Sequence, residues 1–114
     1  WYNTHMKHSI TTRKEGFHIS IGQYTLSIGA GSGHYCENYM RPYNADNKPT
    51  STMEVALMEG EAFIVLEGDV AGHVPVSHLP KLILAVERKD WQMFCDLCDD
   101  NMKREDERGT YEYA

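Results

Sequence analysis

FHISIGQYTLSI, residues 17–28, constrains the fold more than any other stretch of this chain. Phe17, Ile19 and Ile21 alternate with polar neighbours, and after Gly22-Gln23 the alternation resumes at Tyr24, Leu26 and Ile28. A period of two puts those six side chains on one face of extended backbone. Glycine at the first position of a two-residue loop suits a type II′ turn, whose twist matches that of its strands. The stretch is a β-hairpin. Ahead of it, SITTR (residues 9–13) is extended, with Lys14-Glu15-Gly16 as a three-residue turn in which glycine supplies a positive φ.

TMEVALM and AFIVLE, separated by Glu59-Gly60-Glu61, predict a second hairpin. Met53, Val55 and Leu57 on one face, with Ala56 and Met58 on the other, suit a central strand. VAGHVPV follows Gly68-Asp69, and Pro75 restricts it to a sheet edge. The period then changes. Ser77 is positioned to cap a helix with Pro80 in its first turn, and Leu79, Leu82, Ile83 and Val86 fall at helical spacing. Trp91, Phe94, Cys95, Leu97 and Cys98 continue on a rotated face, which predicts two helices meeting near residues 88–90. From Asp99 the chain is charged, holds no core residue beyond Met102, and is expected to fray. Strands first and helices last define an α+β domain: an antiparallel meander of about five strands with one or two C-terminal helices packed on one face.

A length of 114 residues fits one domain, placed at 6–104, with residues 105–114 as an acidic flexible tail. Met6 reads as a natural start, and WYNTH (1–5) as a leader or cloning remnant. No apolar run reaches membrane-spanning length, so no membrane partner is expected. Three cysteines are too few for a disulfide framework and point to a reducing, cytoplasmic setting. The net charge of −6 divides into +2 over residues 1–53 and −8 over residues 54–114. Acidity of that kind disfavours direct nucleic-acid binding, which relies on Lys and Arg displacing counterions from phosphates.

Several motifs suggest chemistry and then lack its context. Gly29, Gly31 and Gly33 follow a strand, but no helical period or Lys-Ser/Thr follows them, so they form neither a P-loop nor a dinucleotide-binding turn. They read as a strand end that bends away. Cys95 and Cys98 form a CxxC, with His34, Cys36, His73 and His78 as conceivable further ligands; lying inside a helical apolar stripe, the pair reads as small core residues, and no metal or cofactor is expected. Ser32 near His34 lacks a nucleophile elbow and an orienting acid, so no catalytic residue is assigned and the chain is read as a non-enzyme.

The segment from His34 to Thr52 is longer than a compact domain needs. Tyr35, Tyr39, Met40, Arg41 and Tyr43 are residue types enriched in binding hot spots, and Asn44 to Ser51 reads as a polar tether. This predicts a recognition loop. The order YTLSIGAGSGHY, then TMEVALMEGEAFIVLEGDVAGHVPV, then a helical end, resembles the layout of small accessory proteins encoded by phages, over about residues 17–98. The resemblance implies an inhibitor that binds a host protein, sometimes one of a defence system, or a protein that sequesters a signalling nucleotide; it assigns no residue. Three expectations follow. The first is a protein-binding module acting through Tyr35, Tyr39, Met40, Arg41 and Tyr43. The second is a binder of a small anionic ligand or nucleotide using Gly29, Gly31, Gly33, His34 and Arg41. The third is nucleic-acid mimicry by Glu54, Glu59, Glu61, Glu67, Asp69 and the tail, which requires those carboxylates to share one face. Pairing of an edge strand with a second copy is compatible with any of them.

Overall fold

The computed structural model describes residues 8–30, 34–36, 49–105 and 111–112. Strands β1 (His8–Arg13), β2 (Gly16–Ile21), β3 (Tyr24–Gly29) and β4 (Thr52–Glu59) run antiparallel in sequence order. The far edge of β4 is shared: β5 (Ala62–Phe63) pairs with Met58–Glu59, and β6 (Val70–Pro75) pairs with Thr52–Ala56. Helices α1 (Leu79–Arg88) and α2 (Trp91–Cys98) complete the α+β layout, and β7 (Arg104–Glu105) pairs with β8 (Tyr111–Glu112) in a separate small ladder.

Register follows from the alternation. Ile21 faces Tyr24 across a two-residue loop in which Gly22 takes φ 60°, and Leu26 faces both Ile19 and Leu57. The inward rows of β2, β3 and β4 form one core with Leu82, Ala85 and Val86 of α1 and Phe94, Cys95 and Cys98 of α2. Tyr24 packs edge-on against Trp91, with ring centroids 5.2 Å apart and planes at 81°. The first turn is one residue tighter than the three-residue loop expected. Arg13 pairs with Gly16 across Lys14-Glu15, and a Cβ on Gly16 would stand 2.0 Å from the Ile28 carbonyl oxygen. Glycine is required there by close approach of the neighbouring strand.

The helices meet where the broken stripe predicts. Lys89 ends α1 in the left-handed conformation, and the Asp90 carboxylate caps α2 by accepting from the Met93 N–H at 3.1 Å. Ser77 is not the cap of α1. A 3₁₀ turn over Val76–His78 leads into the helix, so the N-cap position falls to His78, whose Nδ1 meets the Leu97 carbonyl at 3.0 Å.

Two further expectations change. AFIVLE is a strand only at Ala62–Phe63. Ile64, Val65 and Leu66 are all buried, and Val65 turns away at φ 72°, so this uniformly apolar run is buried after it has left the β4 ladder. The chain beyond Asp99 does not fray at once. The Glu67 N–H donates to Asn101, Leu66 bridges Met102, and the Lys103 N–H donates to Val65 at 2.7 Å. Lys103 is buried, its ammonium donating to the Asp69 carboxylate and, at 3.0 Å, to the Phe63 carbonyl. That pairing satisfies a charge that would otherwise be costly to bury.

Replacing Ile21, 1% exposed at the heart of this core, tests the register directly. Ile21→Ala is expected to lower unfolding free energy by about 2–4 kcal/mol in denaturant melts. A change under about 0.5 kcal/mol, the size usual for surface positions, would contradict the inward placement.

Candidate binding surface

The face of the sheet turned away from the helices is built in three cross-strand rows. Arg13, Gly16, Gly29 and Glu54 form the first; Thr11, His18, Ser27, Ala56 and Val70 the second; Ser9, Ser20, Thr25, Met58 and Phe63 the third. Glu54 organises the first row. On one side it pairs with Gly29; on the other, β6 bulges, so that Gly72 and His73 together stand opposite it between the pairs Met53–Val74 and Val55–Ala71. His73 takes φ 54° at this bulge.

The segment His34–Cys36 lies across this row as a strap. The His34 ring fills the space a Cβ on Gly29 would need, with Nδ1 2.2 Å from that position, and the Tyr35 Cβ fills the space beside Gly72 at 2.6 Å. One Glu54 oxygen meets His34 Nδ1 at 2.9 Å, and the other accepts from the Tyr35 N–H at 2.8 Å. The His73 N–H, freed from the ladder by the bulge, donates to the Tyr35 carbonyl at 2.8 Å. Glu15 stands 3.8 Å from His34 Nε2. Cys36 is buried, whereas the Tyr35 side chain is 52% exposed. A fixed backbone therefore carries an exposed aromatic residue.

Beside the strap the small side chains of the second and third rows leave a cleft of about 430 Å³. Arg13, His18, Ser27, His34, Met58 and Phe63 are among its walls. Arg13 Nη1 donates to His18 Nε2 at 3.0 Å. Partial burial, and then the adjacent guanidinium charge, lower the pKa of His18 from its ordinary 6.5. A neutral ring keeps the lone pair that accepts from Arg13.

Of the residues singled out from sequence, Tyr35, Gly29 and His34 meet at the strap. Gly31, Ser32, Gly33, Tyr39, Met40, Arg41 and Tyr43 lie outside the described residues. Gly29 matters for the ring it admits, a role the glycine spacing only hinted at. Gly72, Arg13 and His18 went unassigned from sequence, Glu54 was read only as a candidate for nucleic-acid mimicry, and His73 only as a conceivable metal ligand. For Glu54 a signal existed, since a lone acid among the apolar residues of TMEVALM asks for a partner. The carboxylates proposed for mimicry do not share a face: Glu54 and Glu59 are five residues apart on one strand and point oppositely. Glu54 and Asp69 are also engaged internally by His34, Tyr35 and Lys103.

Cys95 and Cys98 sit in the core at 1% and 4% exposure. Burial first, then neighbouring Asp100 and Asp96 for Cys95 and Cys95 and Asp100 for Cys98, push their thiols up to about 11 and about 12. Both remain thiols at neutral pH, the unreactive and poorly ligating form. Among the described residues no three His, Cys, Asp or Glu side chains converge as metal ligands, and no helix is long and apolar enough to cross a membrane. Comparison with protein-family models, curated proteins and solved structures finds no match to this chain.

The packing of His34 over Gly29 generates a double-mutant test. Gly29→Ala is expected to destabilise the protein by about 1–3 kcal/mol through overpacking against the ring. The same change made in a His34→Ala background should cost less, leaving a coupling energy on the order of 1 kcal/mol in denaturant melts. Additive effects would show that the ring does not occupy the Gly29 face.

Proposed function

We propose that this chain is a non-enzymatic protein-binding module, an inhibitor of a host protein, that presents Tyr35 and the Tyr/Arg-rich segment following it in sequence. The observation carrying this reading is the placement of Tyr35. Its side chain is 52% exposed, while its amide and carbonyl are tied to Glu54 and to His73. An aromatic residue held in place before binding loses little conformational freedom on docking, and that is where rigid anchors gain affinity. Tyr39, Met40, Arg41 and Tyr43 follow within eight residues and extend the same hot-spot chemistry. The glycine-cradle version of the small-ligand reading is weakened at Gly29, whose open side is filled by His34.

Two variants test the proposal against stability: Tyr35→Ala, and a triple replacement of Tyr39, Arg41 and Tyr43 by alanine. If these residues serve recognition and not the core, both variants should melt close to wild type, within about 0.5 kcal/mol. Loss of an anchor at an interface typically costs about 2 kcal/mol or more, roughly thirtyfold in affinity. A partner captured from a host lysate by the wild-type protein should accordingly be lost with either variant. Unchanged capture would place the interface elsewhere, and a large drop in melting temperature would make these residues structural.

A further inference from the structure

The cleft beside the strap has a chemistry of its own, separate from the partner-binding reading because Tyr35 does not line it. Its floor is low since Gly16 and Ser27 occupy the middle strands. At one end stand Arg13 and Lys14, two exposed cations on and just after the edge strand. Among the described residues neither has a carboxylate within ion-pair distance; Glu15 also lines the cleft, where it stands 3.8 Å from His34 Nε2, and Glu54 faces His34 Nδ1. Arg13 is nonetheless oriented, because one of its N–H groups is held by His18, leaving the remaining donors of the guanidinium fork for a ligand. The lowered pKa of His18 keeps that ring an acceptor rather than a competing cation. At the other end Met58 and Phe63, paired across β4 and β5, supply a thioether and an aromatic face, and Phe63 is 42% exposed.

We propose that this cleft binds a small phosphomonoester of an aromatic or heteroaromatic molecule, its phosphate gripped by Arg13 and Lys14 and its ring laid against Met58 and Phe63. Two adjacent cations match a group carrying close to two negative charges near neutral pH. A planar fork suits phosphate oxygens in pairs. The volume of about 430 Å³ lies within the range of small-molecule sites. Ser27, in the middle of the floor, offers a hydroxyl to a polar substituent on the ring. The site is written in side chains of strands β1 to β5, the turn between β1 and β2, and the strap, and it moves the anion-binding role from Arg41 to Arg13.

Amide-resolved NMR titration of the full chain is the direct test, with phenyl phosphate and adenosine 5′-monophosphate as probes and with inorganic phosphate and adenosine as comparison arms. Saturable shifts are expected at Arg13, His18, Ser27 and Phe63 with both phosphomonoesters. Arg13→Ala should weaken binding by about tenfold or more, the loss of a charge-assisted contact. Phe63→Ala should weaken the phosphomonoesters while leaving inorganic phosphate unchanged. Both residues are exposed, so both variants should fold, and unaltered amide spectra away from the cleft will verify it. Absence of saturable shifts with both phosphomonoesters overturns the site. Equal affinity for inorganic phosphate removes the ring contact, equal affinity for adenosine removes the anion contact, and either result also overturns the proposal.

Discussion

Strand β4 is paired along both edges, and the structure depends on what its two faces carry. Inward, Met53, Val55 and Leu57 hold the centre of the core. Outward, the Glu54 carboxylate divides its two oxygens between the His34 ring and the Tyr35 amide. A carboxylate on a partly buried face needs such donors, because removing it from water without them is costly. Hydrogen bonds to a charged acceptor are also the stronger kind, so one side chain both satisfies itself and fixes the crossing segment. Without Glu54 the strap would lose the acceptor that ties both the His34 ring and the Tyr35 amide to the sheet.

The space for the strap comes from backbone geometry. Gly29 on one flank and Gly72 in the bulge on the other remove the side chains that would keep the strap off the sheet. The same bulge turns the His73 N–H outward, where it meets Tyr35. A single extra residue in β6 therefore creates both space and a donor. The core side is built from other side chains: the inward rows of the sheet pack against α1 and α2, including the buried thiols of Cys95 and Cys98.

How much was legible in the sequence follows from the range of the interactions. The β2–β3 hairpin was legible because alternation and Gly22-Gln23 are local signals, and the break between α1 and α2 was legible because Asp90 interrupts a helical stripe and then caps. The end of the AFIVLE strand was not, since a uniformly apolar run is compatible with burial in a strand or outside one, and Val65 is held by Lys103 from the far end of the chain. The strap was half legible. The Gly29 to Tyr35 stretch stood out as unusual, yet its cause is a contact with Glu54, about twenty residues away. Arg13 and His18 are only five apart, but their meeting depends on the two-residue turn, and the sequence suggested three. The small ladder of β7 and β8, within a stretch read as an acidic tail, lacks any apolar alternation to announce it.

The Tyr35 backbone is held without any partner present, and amide hydrogen exchange in the isolated protein measures that hold most directly. The Tyr35 and His73 amides, which donate to Glu54 and to the Tyr35 carbonyl, should exchange on the order of a hundredfold slower than free-peptide rates. In Glu54→Ala that protection should vanish at both amides, while Leu26 and Leu57 in the paired β3 and β4 retain theirs. Free-peptide exchange at Tyr35 in the wild-type protein would show that the strap is not docked, and the preorganised anchor would be contradicted.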